Sequence, residues 1–148
     1  MTKSVPELVE LIFAYYPKLR KIFRNLVSIK DIPISLTQLA CMHILDQNDG
    51  LSMSELADDL CMSNQQLTKL VDTLVDLEMV ERVCDPHNRR KFFAKLTEKG
   101  KNMLASLKTE VDRKLSYVLR KKSPDEIDKL YDSFAYVASY FGFNNSAE

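Results

Sequence analysis

Glycine is scarce in this chain, with only three among 148 residues. Set against a 28 % share of charged residues, that scarcity favours helices over a turn-rich β fold. No apolar run approaches the roughly 20 residues that a membrane-spanning helix needs. The opening residues, MTKSVPELVE, lack the apolar stretch and small-residue cleavage site of an export signal. The three cysteines are odd in number and have no framework spacing, which fits a reduced cytoplasmic setting. Only two histidines are present, His43 and His87, so a histidine-rich metal site is not expected. Nor is there a nucleophile constellation, a phosphate loop or a carboxylate pair in a catalytic setting. The expectation is a non-enzyme without metal or cofactor. Apolar content of 45 % supports a packed core and argues against disorder.

A surplus of either charge is also missing, since 21 Lys and Arg balance 21 Asp and Glu. That excludes a general polyanion binder, and the distribution says more than the total. Residues 35–100 carry seven cations against eleven acids. Within that acidic region, Pro86 to Lys101 holds six cations (Arg89, Arg90, Lys91, Lys95, Lys99, Lys101) and one acid, Glu98. One local cationic feature fits site-selective recognition better than coating of a polyanion.

Several segments have helical spacing. Ser4 and Glu7 form a capping box at the start of the first, with Pro6 tolerated in its first turn. Val5, Leu8, Val9, Ile12, Phe13, Leu19, Ile22, Phe23 and Leu26 keep the helical repeat. Pro17 is expected to kink or break this helix, and Ile32-Pro33 to end the element. Leu36 to Gln47 repeats the pattern, and Asn48-Asp49-Gly50 reads as a turn. Ser52 and Glu55 box a third helix, with Leu56, Ala57 and Leu60 inward. Ser63 caps a fourth, whose apolar side is Leu67, Leu70, Val71, Leu74 and Val75. Thr97 can cap a long helix striped by Leu104, Leu107, Val111, Leu115 and Val118. Ser123-Pro124-Asp125-Glu126 opens a last helix with Ile127, Leu130, Tyr131, Phe134, Val137, Ala138 and Phe141 on its apolar side.

Between the fourth and fifth helices lies ERVCDPHNRRKFFAKLTEKG, residues 81–100. Strand formers flank a polar turn, Asp85-Pro86-His87-Asn88, and Arg89, Arg90 and Lys91 follow at once. This is a β-hairpin with a cationic tip. Cations held on such a tip suit a phosphate backbone or an A·T-rich minor groove. The third and fourth helices, joined by about three residues, are a helix-turn-helix arrangement. The second helix of such a pair enters the major groove, its first residues at base edges. Here those are Ser63, Asn64, Gln65, Gln66, Thr68 and Lys69. Asn and Gln can pair bidentately with adenine, and Lys can reach guanine or phosphate. An ordinary amphipathic helix would show the same polar face; the hairpin that follows favours recognition.

From about Leu36 to Gly100 the chain resembles the MarR family of bacterial transcriptional regulators. The matching pieces are Leu36-Thr37, Leu51-Ser52, Glu55-Leu56-Ala57, Leu70-Val71-Asp72, Leu74 and Val80-Glu81-Arg82. Asp85-Pro86, Arg89-Arg90 and Leu96-Thr97-Glu98-Lys99-Gly100 complete them. The hairpin pattern is the specific part; the outer helices match in layout only. The resemblance implies a mainly α fold with a small β-hairpin wing, a winged helix-turn-helix flanked by long dimerisation helices. It implies a homodimer on double-stranded DNA at a pseudo-palindromic site, released by a small phenolic ligand or by thiol oxidation. On this reading residues 1–34 and 101–148 form the dimerisation region and residues 35–100 bind DNA. Wide apolar stripes on the first, fifth and sixth helices fit the same division, because a second copy could cover them. Two departures mark this chain. The family commonly has an acid before the wing's basic pair, and here stands Asn88. It usually ends the recognition helix with glycine, and here stands Glu78, which in a left-handed conformation costs about 1–2 kcal/mol.

Further candidates remain open beside simpler roles. Tyr15, Tyr16 and Arg20, with Met42 and His43, could wall a cleft for a phenolic carboxylate, or be plain packing. Cys61 and Cys84 lie near a helix start and a cation, where a thiol can act as a redox sensor. Small buried hydrophobes is the competing role for all three cysteines, Cys41 included. Acids at Asp58, Asp59, Asp72 and Asp76 support an alternative: a protein-interaction module with the winged fold that does not read DNA.

Overall fold

The computed structural model describes residues 2–28 and 33–140. The chain divides into two compact units, Met1–Asp112 and Arg113–Glu148. Along it run six helices and three strands among the described residues: α1 (Val5–Val27), α2 (Leu36–Gln47), β1 (Leu51–Ser52), α3 (Met53–Asp59), α4 (Asn64–Asp76), β2 (Val80–Asp85), β3 (Asn88–Leu96), α5 (Glu98–Leu119) and α6 (Pro124–Tyr140). None of these helices is long and apolar enough to cross a membrane.

Serine starts nearly every helix. Ser4, Ser35, Ser52 and Ser63 each accept a hydrogen bond from the backbone N–H three residues on, and Glu7, Gln38, Glu55 and Gln66 return one to the serine N–H. Ser123 and Glu126 do the same ahead of α6. Each box satisfies two N–H groups that a helix N-terminus leaves unpaired. At α5 the cap is Thr97, whose Oγ1 accepts from the N–H of Gly100 at 3.0 Å.

Two expectations need correction. Pro17 sits inside α1, and the helix runs on from Val5 to Val27 without a break. Proline removes one backbone donor, and the turns on either side keep theirs. The helix then ends at Val27, capped by Ser28, well before Pro33. Ile32 and Phe141 lie outside the described residues.

The sheet is antiparallel with order β1-β3-β2. Sequence periodicity gave only the hairpin, because a strand as short as Leu51–Ser52 shows no alternation. It pairs Leu51 with Ala94 and Ser52 with Phe93. β2 and β3 pair from Val80↔Leu96 to Cys84↔Phe92. The next pair is Asp85↔Asn88, so the register jumps and Arg89, Arg90 and Lys91 have no partner on β2.

The core of the first unit gathers Met42, Leu45, Leu56, Leu67, Val71, Leu74, Val80, Ala94, Leu96 and Leu104, with Cys41 enclosed among them. On α2 the buried residues are Cys41, Met42 and Leu45; Leu36 is exposed and Leu39, Ala40 and Ile44 are half-buried. Both α3 and α4 end in the same way. The N–H of Met62 reaches the Ala57 carbonyl and that of Cys61 the Asp58 carbonyl; Met79 reaches Leu74 and Glu78 reaches Val75. These are Schellman closures, which place one residue in the left-handed region. Here it is Cys61 at φ 51° and Glu78 at φ 59°. In the second unit, α6 buries none of its side chains.

Candidate nucleic-acid interface

The apolar face of α4, Leu67, Val71 and Leu74, is fully buried and fixes the helix on the core. Its opposite face is the polar one read from the sequence, but the six candidates there differ in freedom. Ser63 and Gln66 are engaged in the cap, the Gln66 Oε1 accepting from the Ser63 N–H at 3.1 Å. Thr68 Oγ1 donates to the Asn64 carbonyl at 2.8 Å. Asn64, Gln65 and Lys69 are exposed, and their side chains make no hydrogen bond or ion pair among the described residues. A side chain with free donors and acceptors can meet a base edge without first breaking an internal bond.

Pro86 and His87 form the tip of the wing. Asp85 Oδ1 accepts from the His87 N–H at 2.8 Å, and Asn88 Oδ1 from the Arg90 N–H at 3.1 Å. Asn88 therefore stiffens the tip through backbone, where an acid would use charge. The unpaired stretch Arg89, Arg90 and Lys91 stands out from the ladder as a bulge, and all three are exposed. A bulge re-aims side chains away from the regular pleat. The two Ser52 hydrogen bonds hold the Glu55 carboxyl below its usual range, and the charge of Lys91 adds a smaller push in the same direction.

Two ion pairs that sequence reasoning missed tie the wing and α5 to α4. Arg82 Nη2 meets Asp72 Oδ1 at 2.6 Å, joining β2 to the middle of α4. Asp72 is thus not a free acid. Lys99 Nζ meets Glu78 Oε2 at 2.8 Å. Neither spacing follows a helical or strand period, so no pattern announced them; the only signal was Glu78 standing where glycine is usual.

The other candidates are scattered. Tyr15, Tyr16 and Arg20 are exposed on α1, while Met42 is enclosed in the core. Of the five, only His43 lines the cavity of about 440 Å³ walled by Val27, Leu36, Leu39, Ala40, Leu104, Lys108, Val111 and Asp112. Adjacent positions on a helix point about 100° apart, which is why Met42 and His43 part company. Lys108 at its rim pairs with Asp46 at 3.2 Å. Cys61 and Cys84 are exposed, Cys84 Sγ lying 3.7 Å from the Arg89 carbonyl oxygen. Cys41 is buried, and desolvation pushes its thiol up to about 12, as suits an inert core residue.

Residues 34–92 match the family model described as MarR family. A curated relative is described as an uncharacterized HTH-type transcriptional regulator, YfiV, of Bacillus subtilis (strain 168). It is 25 % identical over 107 residues, 72 % of this chain and 67 % of that protein. Among solved structures, RV1404 from Mycobacterium tuberculosis superposes with a TM-score of 0.79 at 20 % identity, covering 100 % of both chains. The transcriptional repressor CouR, solved bound to a 23-mer DNA duplex, superposes with a TM-score of 0.77 at 24 % identity over 93 % of this chain and 99 % of that one. At these identities the structural likeness establishes the fold.

Proposed function

We propose, for a chain whose residues 34–92 are a MarR-family domain, a sequence-specific DNA-binding regulator of transcription. The observation that carries this reading is the pairing of two features in one small unit. Asn64, Gln65 and Lys69 stand free at the start of α4, and a bulge of Arg89, Arg90 and Lys91 stands on the wing. The helix start suits base edges in the major groove and the bulge suits phosphates or a minor groove. Ser63 and Gln66 serve the helix cap in this reading, with Thr68 beside them on the same face. The protein works in the cytoplasm as a regulator rather than an enzyme.

The DNA-binding region is residues 35–100, and residues 1–34 with 101–148 make a homodimer. Two copies would present two α4 helices to the half-sites of a pseudo-palindrome. The dimer reading is supported by the exposed apolar residues of α1 (Leu8, Ile12, Leu19) and, separately, of α6 (Leu130, Phe134, Val137). A small apolar effector carrying a phenol or carboxylate would suit the cavity beside His43, with Lys108 at its rim. Tyr15, Tyr16 and Arg20 then belong to packing between copies. Thiol regulation through Cys61 or Cys84 is the second reading, favoured by their exposure in the turn before α4 and next to the tip of the wing.

The test is a pull-down of fragmented genomic DNA followed by mobility shifts on the enriched fragments. Enrichment of a shared inverted repeat supports the reading. Binding of all fragments alike, or of none, would leave the protein-interaction module as the better account.

A further inference from the structure

A helix can end at a left-handed residue without strain when that residue is glycine. α4 ends that way on Glu78, with φ 59°. Besides the Schellman bonds back to Val75 and Leu74, a second set of bonds holds this corner, and it runs to the first turn of α5. The Glu78 carbonyl accepts from Thr97 Oγ1 at 2.7 Å, and its carboxylate meets Lys99 Nζ at 2.8 Å. The same Thr97 hydroxyl oxygen accepts the Gly100 N–H, and the Met79 carbonyl accepts the Thr97 N–H at 3.1 Å. Gly100 lets this corner close, because a Cβ there would overlap the Met79 carbonyl oxygen. Most of these bonds involve backbone or the cap and would survive a change at residue 78. The carboxylate–ammonium pair is the one link that exists because the residue is glutamate.

Resting on the DNA-binding reading above, we infer that Glu78 is a positioning residue for recognition. Its pair with Lys99 is an ionic latch that sets the end of the recognition helix against α5. Lys99 also keeps the Glu78 carboxyl below its ordinary range, so the latch stays charged through neutral pH. α5 continues from this corner along the core through Leu104 and Leu107. A binding constellation is productive only when held within about 0.5 Å and 10–20° of its proper geometry. A latch at one end of α4 therefore acts on Asn64 and Gln65 at the other by limiting how the helix tilts. Glycine would make a more stable corner and a looser one.

The test compares Glu78→Gln, Lys99→Met, Glu78→Gly and the charge swap Glu78→Lys with Lys99→Glu. The probes are a duplex that the wild-type protein selects from fragmented genomic DNA and a scrambled duplex of equal length. Single changes alter net charge, so the readout is the ratio of the two affinities. An exposed ion pair couples its partners by up to about fivefold in an equilibrium constant. The ratio should fall about threefold to fivefold in each single variant and return in the swap. Glu78→Gly should lose the same ratio while its Tm rises by about 2–4 °C, an opposite movement that a purely structural role would not give. An unchanged ratio in Glu78→Gln and Lys99→Met, or a swap that restores nothing, would overturn the latch alone. A wild-type protein that prefers no duplex over its scramble would overturn the DNA reading and the latch with it.

Discussion

Two helices of this chain carry the same kind of apolar stripe and meet opposite fates. In α4, Leu67, Val71 and Leu74 are completely buried within the chain's own first unit. In α6, nothing is buried: Leu130 is 40 % exposed and Val137 53 %. Spacing alone cannot separate these cases, because amphipathicity states only that one face avoids water, not what it meets. α4 is thus a finished element, whose remaining polar face is free for an outside ligand. α6 is an unfinished one, whose apolar face calls for a covering surface.

The largest expected effect comes from making that covering impossible. Leu130→Glu combined with Val137→Glu should leave the first unit folded and drive the protein from dimer to monomer in sedimentation. Losing one of two linked half-site contacts lowers apparent DNA affinity by about a hundredfold or more. An intact wild-type protein that sediments as a well-folded monomer would show that α6 needs no partner copy.

Breaking α4's side instead requires striking its packing. Gly100→Ala places a Cβ against the Met79 carbonyl oxygen at the corner joining β2 to α5. Backbone cannot yield there as a flexible side chain would, so the cost should be about 1–3 kcal/mol. A thermal melt reads it, and a melt unchanged from wild type would mean the corner has slack that the geometry does not suggest.

On the free face of α4 the effects should be smaller for the fold and specific for DNA. Gln65→Ala should cost about 1–3 kcal/mol on a selected duplex and little on a scrambled one. Stability should stay within about 0.5 kcal/mol, because the side chain is exposed. At the wing, Arg90→Ala should lower affinity for both duplexes and reduce the salt slope by about 0.9. Titrations at several salt concentrations check both, and a wing variant with an unaltered slope would remove Arg90 from the phosphate contacts.

Most of the scaffold was legible in the sequence, since its signals are local. Serine with Glu three residues later marked three helix starts, Ser63 alone marked a fourth, and Asp85-Pro86 with the basic run marked the wing. Long-range facts were not legible. Nothing in the spacing of Arg82 and Asp72, or of Lys99 and Glu78, foretells a meeting across elements. Met42 was read as a cleft residue because a helix pattern does not say which of two partly apolar faces the core will take. The continuity of α1 through Pro17 also escaped, because a proline reports the loss of one donor and not the strength of the turns beside it. The reader residues Gln65 and Gln66 looked equivalent; only the cap geometry separates the free one from the engaged one.

That cap geometry yields the smallest effect, and one that again contrasts α4 with its neighbours. Glu7, Glu55 and Glu126 close their boxes with a carboxylate, whereas Gln66 closes that of α4, like Gln38 that of α2, with an amide. Hydrogen bonds from Ser4, Ser52 and Ser123 hold the three carboxyls below their ordinary value of 4.5. A carboxyl lowered in the folded state binds its proton more readily when unfolded. Its contribution is therefore present above the unfolded pKa and lost as pH falls through the folded one. The caps of α1, α3 and α6 should weaken below about pH 4.5 while that of α4 does not. Acid titrations of stability should show a shallower slope for Glu55→Gln, which keeps an acceptor for the Ser52 N–H and removes the titrating group. Gln66→Glu should do the reverse, adding acid sensitivity to α4 and setting a negative charge beside the DNA-facing Asn64 and Gln65. Its DNA affinity should then drop on both duplexes alike. An acid slope that Gln66→Glu does not steepen would show that the cap of α4 is held by Ser63 alone.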